Sequence, residues 1–207
     1  MSVRGFDADR FRVVIVGHSF VSRLQAFVRN EGQSNGMKNL RLDPDRYEIS
    51  FLGIPGASTR GNRSLQPALQ QIGAIHPDFV LIEIGSNDLC DENVEPRRLA
   101  GDIISLARFV SVGYDTPCVV VGSILPRVGA RWLAYNQRVA AANRYLSELI
   151  AAESGIHYWR HRGFTRCSVN PLAEDGVHPN AAHGMPKYVR SVRQAVLFFH
   201  FKSKQLL

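Results

Sequence analysis

The sequence predicts an α/β fold, a three-layer α/β/α sandwich in which helices cover both faces of a five-stranded parallel sheet of flavodoxin-like type. Short apolar runs alternate along the chain with segments whose apolar residues repeat with the helical period of about 3.6 residues, which is typical of parallel sheets. The runs are almost continuously Val, Ile and Leu, as in strands buried on both faces. Right-handed crossovers between such strands give the sandwich.

The elements follow one another in chain order. Five runs rich in β-branched or aromatic residues predict strands: FRVVIV (11–16), YEISFL (47–52), DFVLIEI (78–84), PCVVVGSI (117–124) and IHYW (156–159). Five helical patterns lie at roughly 20–31, 62–75, 96–112, 130–154 and 181–200. Pro96 suits a first helical turn, and the glycine of SGI ends the fourth helix. We expect one domain over residues 1–207, with its core at about 11–200.

The composition narrows the class of protein. The chain has 207 residues, of which 45% are hydrophobic, but no apolar run reaches the roughly 18 to 20 residues that a membrane span needs. The first twelve residues, MSVRGFDADRFR, lack the apolar stretch of a secretory signal, so we expect an intracellular, cytoplasmic protein. The three cysteines show no CxxC spacing, and the histidines show no metal-ligand spacing. We therefore expect no metal ion.

The charge leaves a question about partners. A formal charge of +7 favours anionic partners such as nucleic acid or an anionic membrane surface. The only local concentration of basic residues is WRHRGFTR at 159–166, which includes Arg160, Arg162 and Arg166. This segment fits either a solvated or substrate-neighbouring loop or a contact with a polyanion. The sequence does not indicate an oligomeric state.

Four polar segments lie where function is expected in such a sheet, at the carboxyl ends of the strands or before the last helix. They are GHSF at 17–20, GIPGAST at 53–59, GSNDL at 85–89 and DGVHPN at 175–180. The first three follow the first three predicted strands. We expect these segments to meet at one edge of the sheet.

The segments contain the groups that nucleophilic acyl transfer needs. A serine hydroxyl becomes a nucleophile when a base takes its proton, and the base needs a third group to orient it. His178 can be the base for Ser19, and Asp175, three residues earlier, can orient the imidazole. Each residue also has an ordinary explanation, because serines cap helices and Asp is common in turns. The three together favour catalysis.

Donors for an oxyanion are present in the same segments. The N–H of Ser19 is free if the residue opens a helix, Gly56 has no side chain to block its N–H, and Asn87 carries a side-chain amide. Gly56 and Asn87 are equally compatible with ordinary turns. His18, Arg60 and Arg162 are candidate neighbours of a substrate, although His18 also fits a packing role and the arginines also fit a solvated surface.

The four ordered segments resemble the motifs of the SGNH, or GDSL-type, hydrolases: a serine after the first strand, a lone glycine, a G-x-N-D turn and a C-terminal D-x-x-H. The resemblance implies a serine esterase with Ser19 as nucleophile, His178 as base, Asp175 as its orienting group, and Ser19, Gly56 and Asn87 as the oxyanion hole. It implies no cofactor and a small-molecule, lipid or carbohydrate ester substrate. The absence of an inserted lid favours short acyl or acetyl groups.

The chain departs from that family at two positions. His18 replaces the usual Asp of the first motif, and Ala57 follows the glycine of the second. The segments GHSFVSRL and HPNAAHGMPKYVRSVRQAV resemble esterase-like domains associated with animal retroelement proteins. Two alternatives stay open. One is acyl transfer to an alcohol, and the other is a catalytically weak binding module that contacts nucleic acid or an anionic membrane.

Overall fold

The computed structural model describes residues 10–30, 38–60, 64–164 and 169–204. It confirms the predicted α/β fold: five parallel strands form one sheet in the order β2-β1-β3-β4-β5. The strands are β1 (Phe11–Gly17), β2 (Tyr47–Gly53), β3 (Phe79–Glu83), β4 (Val119–Gly122) and β5 (Ile156–Trp159). Each overlaps a predicted strand. Arg166, in the basic segment, lies outside the described residues.

Five helices connect or follow the strands. They are α1 (Ser19–Asn30), α2 (Gln66–Ile75), α3 (Pro96–Gly113), α4 (Leu133–Ile150) and α5 (Gly184–Lys204). The last begins three residues later than predicted, and the Asn180 side chain accepts the N–H groups of His183 and Gly184 at its start. The fourth begins at Leu133, since a 3₁₀ turn occupies Ala130–Trp132. The first two residues of the second predicted helix lie outside the described residues.

Alternating side chains of the sheet enter two separate hydrophobic clusters. Val14 and Val16 pack with residues of α2, α3 and α4. Val13 and Ile15 pack on the opposite face with residues of α1 and α5. Because both faces are covered, the strands need apolar side chains at every position, which explains the continuous runs in the sequence. None of the described helices is long and apolar enough to cross a membrane.

The strand order determines where the loops meet. After β1 the chain first adds β2 on one side and then β3 on the other, so a crevice opens at the carboxyl ends of these strands. Hydrogen bonds join the two loops that border it. The Asn87 Nδ2 group donates to the Ala57 carbonyl at 2.8 Å, and the Thr59 N–H and hydroxyl donate to the Asp88 carboxylate. The loops after β2 and β3 are therefore held as one unit.

Candidate active site

Ser19 stands at the junction of the first strand and the first helix. β1 ends at Gly17, and α1 begins at Ser19 itself. As the first residue of the helix, Ser19 has a backbone N–H without an acceptor inside the helix. Its Oγ lies 3.0 Å from Nε2 of His178. A hydroxyl, a free amide and an imidazole thus meet at one point.

A tight turn joins His178 to Asp175. The Asp175 Oδ1 atom accepts the backbone N–H groups of Val177 and His178, at 2.8 and 2.9 Å, while Oδ2 lies 2.7 Å from Nδ1 of the His178 ring. Gly176 takes a φ of 67° in this turn, a conformation that side chains with a Cβ rarely adopt. One carboxylate therefore fixes both the backbone and the imidazole of the same residue.

These contacts determine the charge of Asp175. Partial burial alone would raise the pKa of this carboxyl group, but the hydrogen bonds from the His178 N–H, the His178 ring and the Val177 N–H outweigh it. The pKa of Asp175 is held well below its usual range. An ionised carboxylate binds the Nδ1–H tautomer of His178, which leaves Nε2 free to accept the Ser19 proton.

The two remaining candidate donors border the same pocket. Gly56 has a φ of 76°, so the chain turns sharply after Pro55. One N–H of the Asn87 amide holds the Ala57 carbonyl, and a primary amide carries a second N–H. Both residues line a pocket of about 490 Å³ together with Ser19 and His178. The structure therefore brings all five predicted residues of the site to one place.

Other residues of this pocket were not predicted from the sequence. Phe20, Ser22, Arg23, Pro55, Ser86 and Val177 complete its lining. Ser22 and Arg23 stand three and four positions after Ser19 on α1, so helical spacing from the serine was the signal that could have found them. Arg23 brings a positive charge to the pocket. Among the described residues, no group of three His, Cys, Asp or Glu side chains is placed to hold a metal ion.

Three predicted substrate neighbours lie away from the pocket lining. His18 is 4% exposed, and its Nδ1 accepts the Phe20 N–H at 3.4 Å. Arg60 pairs instead with Asp102 of α3. Arg162 lines a different groove, beside α5. Contacts with residues distant in sequence place the two arginines, because Asp102 holds the Arg60 side chain and the pairing of His161 with Glu83 directs the loop that carries Arg162. The His18 ring is instead buried beside the start of its own helix, at Phe20.

The surroundings of His18 keep its ring neutral. Burial is the largest cause, and the nearby His178 and Arg127 add to it, so that the pKa of His18 falls to about 3. Arg127 is itself buried, stacks on the rings of Trp132 and Tyr135, and donates to the Ser86 carbonyl at 3.3 Å. Arg127 therefore holds the backbone of a pocket residue, although no local sequence pattern pointed to it.

A second chain of the same chemical groups is buried between β3, β5 and α5. The Ser191 Oγ atom lies 2.9 Å from Nδ1 of His161, and Nε2 of the same ring lies 2.7 Å from Oε1 of Glu83. The Trp159 indole N–H also donates to Ser191 Oγ, at 3.1 Å. The His161 side chain is fully buried, and that of Glu83 is 4% exposed. The backbone carbonyl of Glu83 accepts the His18 N–H, which connects this buried chain to the serine loop.

Solved structures with the same architecture include a lipase, an esterase and a hydrolase. A GDSL-like lipase from Bacteroides thetaiotaomicron is 19% identical, with a TM-score of 0.62 over 90% of this chain and 87% of that one. A catalytic mutant of Axe2, an acetylxylan esterase from Geobacillus stearothermophilus, is 16% identical, with a TM-score of 0.64 over 89% and 93%. LAE5, an α/β hydrolase from the metagenome of Lake Arreo, is 17% identical, with a TM-score of 0.65 over 92% and 97%. At these low sequence identities, the similarity shows that the fold is shared and nothing more specific.

The sequence itself identifies the family. No curated protein is significantly similar to the chain. The model of the GDSL-like lipase/acylhydrolase family matches residues 16–183, which run from the end of β1 to just before α5 and include all four polar segments. The chain therefore belongs to the GDSL-like lipase/acylhydrolase family.

Proposed function

We propose that this protein is a serine esterase that hydrolyses carboxylic esters with short acyl groups, through an acyl-enzyme formed on Ser19. The observation that carries the proposal is the continuous hydrogen-bonded path from Ser19 Oγ through His178 to Asp175, with distances of 3.0 and 2.7 Å. Both distances lie within the range in which a base activates a hydroxyl. Membership of an acylhydrolase family supports the same chemistry.

Acylation begins when His178 Nε2 takes the Ser19 proton and Oγ attacks the ester carbonyl carbon. The carbonyl oxygen becomes an oxyanion, which the N–H groups of Ser19 and Gly56 and the side-chain amide of Asn87 stabilise. Asp175 stabilises the imidazolium through Nδ1. The bond from carbon to the alkoxy oxygen then breaks, and the imidazolium gives its proton to the departing alcohol, leaving the acyl group on Ser19.

Deacylation repeats these steps with water. His178 takes a proton from a water molecule, the resulting hydroxide attacks the acyl carbon, and Ser19 Oγ leaves with the proton from Nε2. Attack by a sugar hydroxyl in place of water would transfer the acyl group to that alcohol. Hydrolysis and transfer share the acyl-enzyme, and analysis of the products in the presence of a sugar acceptor distinguishes them.

The size of the pocket supports short acyl groups. The pocket has a volume of about 490 Å³, and it has to hold part of the alcohol portion of the ester as well as the acyl group. Acetyl groups fit this space, and one structural neighbour is an acetylxylan esterase. We therefore propose small acetyl esters, including those of carbohydrates, as the substrate class.

Ser19→Ala tests the proposal directly. The variant should lose hydrolysis of p-nitrophenyl acetate by at least about 10⁴-fold, because the nucleophile is gone, and should lose labelling by a fluorophosphonate probe. Ser105→Ala, at an exposed position on α3, is the matched control and should keep both. Activity or labelling that survives in Ser19→Ala would refute the proposed nucleophile. An unreactive Ser19 in the wild type would favour the binding module.

A further inference from the structure

A second groove lies between the end of β5 and α5. Its volume is about 690 Å³, and it shares no lining residue with the catalytic pocket. Four basic side chains line it, and the described lining contains no Asp or Glu: Arg160, Arg162, Lys187 and Arg190. We call it the basic groove. Trp159 and Phe198 are among the other lining residues.

Three arginines of the basic groove have no carboxylate partner among the described residues. Arg160, Arg162 and Arg190 are exposed, and none forms a salt bridge with a described residue. Elsewhere on the surface, arginines pair with carboxylates, as Arg60 does with Asp102 and Arg108 with Glu153. Part of the positive charge of this chain, whose net charge is +7, thus lies at one concave surface, which attracts a polyanion.

The buried His161 anchors the backbone that carries Arg160 and Arg162. It sits between Arg160 and Arg162 in the chain, and its ring is fixed by Ser191 on one side and Glu83 on the other. The adjacent residues are both exposed, so the two guanidinium groups extend from a short segment whose centre is anchored in the core. A site held in this way loses less conformational entropy when it binds a ligand.

The opposite wall is one face of α5. Lys187, Arg190, Gln194 and Phe198 follow at spacings of three and four residues, so they lie along one side of the helix. Phe198 is 55% exposed, and its ring centroid is 6.1 Å from that of Trp159. The basic groove therefore combines positive charges with aromatic rings, at least one of which has its surface open to solvent.

We propose that the basic groove binds single-stranded nucleic acid, with phosphates on Arg160, Arg162 and Arg190 and bases stacked on Trp159 and Phe198. Single-strand binding sites combine a positive groove with aromatic stacking platforms in this way. The concave shape favours a strand over the flat surface of a bilayer. This activity is separate from the proposed esterase and does not depend on it.

The test reverses the charge of the basic groove. Binding of a fluorescein-labelled 20-nucleotide single strand is measured by fluorescence anisotropy in 50 mM salt. Combining Arg162→Glu with Arg190→Glu should raise Kd at least tenfold. The matched control combines Arg97→Glu with Arg98→Glu, which makes the same charge change on α3, at the other face of the sheet, and should alter Kd less than twofold. All of these proteins should hydrolyse p-nitrophenyl acetate at the wild-type rate.

Salt dependence and stacking make the test specific. Each phosphate contact to a single strand contributes about −0.7 to the slope of log K against log salt concentration. Three contacts therefore predict a slope of about −2 for the wild type. The variant with both Arg162→Glu and Arg190→Glu keeps one contact and should have a slope of about −0.7. Phe198→Ala should weaken binding about fivefold or more without changing the slope. Three results would overturn the proposal: no binding in 50 mM salt, equal loss in the control, or binding to phosphatidylserine vesicles without binding to the oligonucleotide.

Discussion

The protein contains two Ser–His–carboxylate chains that differ in access to solvent. In the pocket, Ser19, His178 and Asp175 form one chain, with His178 19% and Asp175 42% exposed at their side chains. In the core, Ser191, His161 and Glu83 form the other, where the imidazole is fully buried. The distances are nearly the same in the two chains. Hydrogen-bond geometry alone therefore does not distinguish a catalytic group from a structural one.

The difference lies in what surrounds each serine. Ser19 opens a helix, so its N–H points out of the helix end, and Gly56 and Asn87, the two other proposed donors, line the same pocket. Ser191 lies within α5, where backbone N–H groups are taken up by helical hydrogen bonds, and its hydroxyl also accepts the Trp159 N–H. A triad-like chain that lacks these donors, and whose imidazole is fully buried, serves to hold elements together.

Replacing the carboxylate of each chain should separate the two roles most clearly. Asp175→Asn should lower kcat for p-nitrophenyl acetate about 10⁴-fold, because an amide no longer selects the Nδ1–H tautomer of His178. The fold should remain intact, since the side chain is partly exposed. Glu83→Gln is the matched change in the buried chain and should keep kcat within about tenfold. Equal losses of kcat in the two variants would contradict the assignment of separate roles.

The buried chain should instead affect stability. Glu83→Leu leaves the His161 Nε2 atom in the core without its hydrogen-bond partner, so the free energy of unfolding should fall by about 2 to 4 kcal/mol. Urea denaturation followed by circular dichroism measures this change. Glu48→Leu removes an exposed partner of Arg10 and should cost less than about 1 kcal/mol. A loss below 1 kcal/mol in Glu83→Leu would show that the buried chain does not stabilise the core.

The smallest predicted effect is a change in the pH dependence of stability, and it concerns His18. Its backbone N–H donates to the Glu83 carbonyl, and its ring lies near His178. The unfolded chain takes up a proton on His18 below about pH 6.5, whereas the native protein does so only near pH 3. Stability therefore falls as the pH drops through this window, by about 2 kcal/mol between pH 7 and pH 5 from this group alone. His18→Asn, which cannot titrate, should reduce the wild-type pH dependence of unfolding by about that amount. An unchanged pH dependence would show that His18 contributes nothing to it.

Much of the fold was predictable because its signals are local. Continuous apolar runs and a helical period revealed the five strands and five α-helices that the structure describes, and parallel topology placed the polar segments at one edge. Asp175 and His178 are three residues apart, so their turn could be inferred from the sequence alone. Ser19 was expected to lie close to this turn because both were predicted at the same edge of the sheet.

The remaining features depend on contacts between residues far apart in the chain. Glu83 interrupts an apolar strand, and a carboxylate at such a position signals a buried partner, but His161 is 78 positions away and no local pattern connects the two. Arg60 could not be placed without Asp102, which lies 42 positions away on α3. Arg162 was predicted near the substrate, whereas the anchoring of His161 directs this loop to another groove.

The contact between Ser19 and His178 joins residues 159 positions apart. A ribosome that adds about 5 to 20 residues per second needs roughly 8 to 32 s to travel from one to the other. Throughout that interval, the emerging chain contains Ser19 but not His178, its proposed base. An ester cleaved by this site therefore marks a polypeptide that has been synthesised to at least His178 and folded back onto its own beginning.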